Sequence, residues 1–333
     1  MSIRLLHYIV ALLLIGCGLF WTTPAHATIT CSTASMGAVS FGTVNPLSSL
    51  TSTTATLSYT CKNSTGGGTH SATLCFSIGE PGGAQTNPRL MKSGANTLQF
   101  QLYQSPGFTT VWGSQFFGSN TPLMVNLSLA SGASTNGTAT LDAQVLGGQT
   151  TVIPSATNYA DNYANTDTAL TINDQAGNTP PGTCSGTESS VFFPFNVTAL
   201  VSTKCTVSAN NLSLGSVAAG ATPPSGNTTL SVTCSSTTPY NVGVAPLNVS
   251  STTGAGTMKG TGTNTNTVTY QLYSNSGLST VWGNTATATS TGNGVAGTGT
   301  GSAQTLTVYA KVTSSTDVQP DNYSDTVQVN VNY

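Results

Sequence analysis

The sequence predicts an all-β protein: two antiparallel β-sandwiches in tandem, the second lacking its last strand. Three observations carry this prediction. Apolar and polar residues alternate with period 2 along most of the chain, as half-buried strands require, and no helical stripe of any length appears. The phrase FQLYQSPGFTTVWGS at 100–114 returns as YQLYSNSGLSTVWGN at 270–284. Ahead of each phrase, at matching distances, stands a similarly spaced cysteine pair, Cys31 with Cys61 and Cys205 with Cys234.

At the N-terminus Arg4 is followed by LLHYIVALLLIGCGLFW and then by AHA, the pattern of a secretory signal peptide over residues 1–27, cleaved after Ala27. Leu14-Ile15-Gly16-Cys17 also fits a lipoprotein cleavage box, which leaves a lipidated Cys17 as the alternative start of the mature chain. No second run of about 18 apolar residues follows, so the mature chain is not expected to span a membrane. Only 5% of residues are charged while 38% are hydrophobic, which is not the profile of a disordered chain. Thr and Ser are abundant, as on the exposed faces of extracellular β-proteins. A net charge of −2 without any Lys/Arg cluster argues against nucleic acid and anionic membranes as partners.

The six cysteines after the signal peptide read as disulfides of an oxidising compartment, not as metal ligands. In each pair the second cysteine ends an alternating strand, ATLSYTC or TTLSVTC. The repeat therefore assigns Cys31-Cys61 and Cys205-Cys234, leaving Cys75-Cys184 as a clamp in the first copy only. Each bond typically adds about 2–4 kcal/mol, mainly by restricting the unfolded chain.

The strands follow in order. Leu57, Tyr59 and Cys61 share one face, as do Leu74, Phe76 and Ile78, then Leu98, Phe100 and Leu102, then Leu141, Ala143 and Val145. In the second copy the inward sets are Leu230, Val232 and Cys234, then Leu306, Val308, Ala310 and Val312, then Val327, Val329, Val331 and Tyr333. Turn-rich segments such as KNSTGGGTH and STGNGVAGTGTG separate them. Between the copies lies VFFPFNVTALV, with Val191, Phe193, Phe195, Val197, Ala199 and Val201 all apolar and in phase. Fully extended, these residues span about 36 Å, well beyond the usual strand of about 5–6 residues. Such a strand is expected to complete the first domain, 28–203, whereas the second, 204–333, shows no counterpart. An uncompleted sandwich leaves a hydrophobic cleft and unpaired sheet edges, which a strand from another chain can fill.

The YQLY…TVWG motif, the cysteine pairs, the ATLCFSIG strand with Arg89-Leu90-Met91 after it and the terminal DNYSDTVQVNVNY together resemble the spore coat protein U family, whose members are subunits of archaic chaperone–usher pili. The resemblance implies incomplete immunoglobulin-like, pilin-type sandwiches, each completed by a strand from the next subunit. It implies a two-domain tip adhesin: a receptor-binding domain completed internally by 191–201, then a pilin domain completed by an adjacent pilin subunit. Only Thr28, Ile29 and Thr30 precede Cys31 after the expected cleavage, too few to donate a strand onward. The implied partners are a periplasmic pilus chaperone, docking on Val327, Val329, Val331 and Tyr333, and an outer-membrane usher. One departure stands out: YANTDTALTIN puts Leu170 and Ile172 out of phase with the terminal strand of the second copy.

For the contact surface, a strand 191–201 running toward the second domain places loop 174–190 at the far pole. A simple antiparallel order adds the loops at 62–70 and 114–124 to that pole. The latter offers Phe116, Phe117, Leu123 and Met124 for an apolar or host surface, where the second copy has NTATATSTGNG. Val152 and Ile153 are second candidates, at the opposite pole in this strand order, a parity that an extra strand at 125–129 would upset. The resemblance implies attachment of cells to surfaces and biofilm formation; the alternatives are a structural coat or pilus subunit and a saccharide-binding lectin. Catalysis is not expected: His70 is the one histidine of the mature chain, and no nucleophile elbow occurs. Asp161, Asp167 and Asp174 lack metal-loop spacing and read as solvated loop charges, so no metal or other cofactor is expected.

Overall fold

Leu57, Tyr59 and Cys61 are buried while Thr56, Ser58 and Lys62 between and beyond them are exposed, so the alternation seen in the sequence becomes a strand with one face inside. The same rule builds the rest of the molecule, a computed structural model that describes residues 29–48, 50–64, 66–79, 86–116, 121–188 and 191–333. The expected signal peptide at 1–27, Cys17 and Phe117 lie outside those residues. Every regular element among them is a strand, so no helix among them crosses a membrane.

The first copy contains β1 (Ile29–Met36), β2 (Val39–Val44), β3 (Thr51–Asn63), β4 (His70–Ile78), β5 (Arg89–Ser93) and β6 (Asn96–Gln104). It continues with β7 (Leu123–Leu129), β8 (Ser134–Val145), β9 (Tyr159–Tyr163), β10 (Thr168–Ala176), β11 (Thr187–Glu188) and β12 (Phe195–Val201). One sheet runs β1-β3-β8-β6-β5-β9-β12-β2 and the facing sheet β11-β10-β4-β7. The second copy holds β13 (Cys205–Ala209), β14 (Ser225–Cys234), β15 (Pro239–Pro246) and β16 (Ala255–Lys259). Then come β17 (Thr267–Tyr273), β18 (Val295–Thr298), β19 (Ala303–Val312) and β20 (Val327–Asn332), in sheets β13-β14-β19-β17-β16 and β18-β15-β20. These are two tandem immunoglobulin-like sandwiches, each with its own apolar core.

All three disulfides form as the repeat assigns them: Cys31-Cys61, Cys75-Cys184 and Cys205-Cys234. The duplicated VWG phrase pins its two sheets together in the same way each time. Trp112 and Trp282 are fully buried, and each indole N–H donates to a carbonyl of the facing sheet, that of Phe76 or Val242, at 2.8 Å. A buried indole N–H needs such an acceptor.

Three expectations change. Leu170 is buried and pairs with Phe76, because a turn at 164–167, capped by Asp167 accepting the Ala164 N–H at 2.8 Å, shifts the phase between β9 and β10. The second copy passes from Ser324, bridged to Lys259, to Val329, opposite Val244, in fewer residues. Asp161 and Asp167 are buried instead of solvated, the former because it alternates inward with Tyr159 and Tyr163 on β9. Finally, Leu123 and Met124 belong to a strand, β7, not to a loop.

Candidate functional site: a filled groove and an open one

In the first sandwich β12, which covers only 195–201 of the expected strand 191–201, inserts into the eight-stranded sheet between β9 and the edge strand β2. β12 pairs antiparallel with β9, Phe195 opposite Tyr163, and parallel with β2, Val197 opposite Val39 and Val201 opposite Val44. Phe193, Phe195, Val197, Ala199 and Val201 are buried and Val191 packs against the core. The Phe195 ring stacks on Tyr163 at 4.6 Å, Phe193 meets Phe76 edge-on at 5.8 Å, and the Phe193 N–H donates to Thr168 Oγ1 at 3.1 Å. Just before it, β11 pairs with β10.

In the second sandwich, among the described residues, no strand takes the place that β12 has in the first. VSFGTV at 39–44 corresponds to LSLGSV at 212–217, down to the left-handed glycines Gly42 (φ 62°) and Gly215 (φ 76°). Yet 212–217 forms no strand, and among the described residues none pairs with it. Val44 is 3% exposed, whereas its counterpart Val217 is 46% exposed. Likewise Met91 is fully buried and Met258, its counterpart beside the central strand, only half so. A cleft of about 910 Å³ opens here, lined among others by Leu212, Leu214, Val217, Met258, Val327 and Val329. At the adjoining edge, among the described residues, β20 pairs only with β15, where β10 pairs with both β4 and β11. Val327, Val329 and Val331 are half-buried and Tyr333 is exposed.

The polar groups beneath the two grooves differ. In the first, Arg89 is fully buried and donates to Gln101 Oε1 (3.0 Å), to the carbonyls of Gly79 (2.8 Å), Ile78 (3.3 Å) and Trp112 (2.8 Å), and to Tyr163 Oη (2.9 Å). Asp161 stands nearby, its carboxyl pushed up to about 6 chiefly by burial, against the pull of a Tyr163 hydrogen bond and the Arg89 charge. In the second, Gly256 takes the place of Arg89, and the Tyr270 ring lies where any Cβ on Gly256 would go. Tyr270 Oη donates to Asp325 at 2.8 Å, and burial, then that bond and charge, raise its pKa. The charged residues lining the cleft are Asp321 and Asp325. The exposed Asp321 carboxyl is held well below the usual range by hydrogen bonds from Thr261 and Asn264.

The expected contact residues are scattered. Phe116 and Met124 are exposed, at 47% and 54%, and Met124 points outward from β7; Leu123 faces the core and is half-buried. Val152 is buried in the core, contrary to its expected place on a contact surface, and Ile153 is half-buried with its carbonyl accepting from Tyr159 Oη at 2.6 Å. The expected pole also changes. β7 runs against β4, Leu129 opposite His70 and Leu123 opposite Phe76, so the loop ahead of β7 meets the opposite end of β4 from the loop ahead of His70. The loop after β10 stays at the His70 end, where Ser71 Oγ donates to the Gly177 carbonyl at 2.7 Å. Sequence reasoning missed Phe108, which is exposed and edge-on to Tyr103 at 5.5 Å. Its signal was available: it stands in the repeated phrase at a turn position, FTTVWG, and not at an inward strand position. His70 is buried, with Nδ1 3.7 Å from Asp174 Oδ2.

Comparison with known proteins places these features in a family. Among solved structures, the crystal structure of the CupB6 tip adhesin from Pseudomonas aeruginosa is similar at 11% identity over 92% of this chain and 93% of that one, with a TM-score of 0.35. A chain of a chaperone–tip adhesin complex of CFA/I fimbriae biogenesis is similar at 12% identity over 92% and 90%, with a TM-score of 0.27. A comparison with curated proteins finds no match. The family model for the Spore Coat Protein U domain matches twice, at residues 18–166 and 191–330, and the chain therefore belongs to that family.

Proposed function

We propose that the protein is a pilus tip adhesin, exported through the periplasm to the cell surface, whose second domain is anchored in the fibre by a strand from the adjacent pilin subunit. One observation carries the reading: wall positions covered in the first sandwich by its own strand stand open in the second, Val217 against Val44 above all. Completing the second sandwich buries that apolar surface and pairs 212–217 as β12 pairs β2, while residues ahead of the incoming strand pair the free edge of β20 as β11 pairs β10, which is how strand addition gains affinity. Before assembly a periplasmic chaperone shields the same edge, at Val327, Val329, Val331 and Tyr333, and an outer-membrane usher receives the complex. The first sandwich, 28–203, closed by its own chain, is the part free to meet a surface and so to seed biofilm.

The anchoring is tested with a labelled peptide of sequence VFFPFNVTALV and the protein with its signal peptide removed. The expected result is saturable binding, weakened at least about tenfold by Val217→Asp and absent for a peptide with its apolar residues moved out of phase; equal binding of both peptides contradicts the reading. For the contact surface, replacing Phe116, Phe117, Leu123 and Met124 with Ser is expected to abolish attachment to plastic at unchanged surface display. A saccharide-binding reading is favoured by one feature, the polar residues Asn178, Thr179, Thr183 and Ser185 of loop 177–186 at the His70 end. Unchanged attachment of the serine variants moves the contact surface there.

A further inference from the structure

The three disulfides are arranged in series. Cys31 is joined to Cys61, Cys75 to Cys184 and Cys205 to Cys234, and none encloses or crosses another. The covalent route from β1 to the end of β14 therefore uses only two stretches of backbone, 62–74 and 185–204. The chain at 32–60, 76–183 and 206–233 lies off that route.

Both ends of the 185–204 stretch are firmly seated. Cys75 sits in the middle of β4, which pairs on one side with β10 and on the other with β7, so Cys184 is tied to the centre of a sheet. At the other end Cys205 opens β13, and the residue before it is clasped by the buried Ser235. The Lys204 N–H donates to Ser235 Oγ at 2.9 Å, and the Lys204 carbonyl accepts from Ser235 N–H at 2.8 Å and from its hydroxyl at 3.1 Å. Between these anchors β12 lies lengthwise between β9 and β2 and leaves 202–204 as the backbone link to the second sandwich. Tension on the second sandwich draws β12 along its own axis. Its lateral hydrogen bonds and the packing of Phe195, Val197, Ala199 and Val201 must then yield together, not one after another.

We infer a further function for the disulfides: they form a covalent load-bearing spine in which the strap 185–204 is the covalent link that carries tension between the sandwiches once packing contacts such as Thr150 against Gly301 have parted. Cys75-Cys184 keeps that tension out of 76–183, the stretch that bears Phe116 and Met124. The inference does not depend on what fills the cleft of the second sandwich.

Single-molecule force spectroscopy on the protein without its signal peptide, held at its two ends, tests it. With all bonds intact, the two stretches on the route allow the first sandwich and junction at most about 125 Å of extension at about 3.3–3.6 Å per residue. Replacing Cys75 and Cys184 with Ser returns a loop of sequence separation 109 to the route and lengthens that event by about 360–390 Å. Where that variant does not fold, reductant supplied to the stretched wild type is expected to release a step of the same length. Val197→Ala, with every disulfide kept, is expected to lower the rupture force of the event and leave its length unchanged. Extension of the first sandwich well beyond about 125 Å with the bonds intact, no added length after their loss, or a rupture force unmoved by Val197→Ala overturns the inference.

Discussion

Asp161 sits on the inward face of β9 between Tyr159 and Tyr163, and its Oδ2 has no hydrogen-bond partner. Burial is the largest influence on it and raises its pKa to about 6, above the value of about 3.9 for a free carboxyl. The folded first sandwich therefore holds the proton more tightly than the unfolded chain. The sign follows: stability rises as pH falls from about 7 toward 4 and is lost as pH rises through about 6, by at most about 3 kcal/mol for this group. Asp161→Asn is expected to stabilise the protein at pH 7.5 and to flatten the urea-midpoint profile between pH 4 and 7; an unaltered profile contradicts this. None of it was evident while Asp161 was read as a loop charge, although its alternation with two tyrosines was the available sign of an inward strand position. In the sequence Arg89 stands out only as part of the Arg89-Leu90-Met91 motif. That it satisfies three carbonyls and a tyrosine hydroxyl depends on β4, β9 and the Trp112 crossing converging on it, which no local pattern records.

β12 was the most legible element, because four apolar residues in alternation, Phe195, Val197, Ala199 and Val201, share one inward face. Its partners were not legible: parallel pairing with β2 links positions far apart in sequence. Removing the strand is expected to expose the groove it fills. The first sandwich ending at residue 203 should be a stable monomer by light scattering, and one ending at 188 should aggregate; equal solubility contradicts an internal completing role for 191–201. β7 shows the opposite case. Its inward residues Leu123, Val125 and Leu127 are only half-buried at a sheet edge, a weak signal, and its presence reverses which end of β4 the preceding loop reaches. The turn at 164–167 likewise escaped the period count, since a phase shift between β9 and β10 looks in sequence like a broken strand.

For the molecule as a whole, the repeat carried most of the information. Matching cysteine pairs and the twice-written VWG phrase foretold two sandwiches and their disulfides, because identical packing of Trp112 and Trp282 requires the same residues twice. What the repeat leaves out is where the copies diverge, and the sharpest divergence is the cleft lined by Val217 and Val327. The central claim is that this cleft takes a strand from another chain. Hydrogen exchange of the intact protein, with and without the VFFPFNVTALV peptide, tests it most directly. Amides at 39–44 are expected to be protected throughout, while those at 212–217 exchange rapidly until the peptide is added and slowly afterwards. Equal protection of 39–44 and 212–217 without peptide, or no change at 212–217 with it, contradicts the claim.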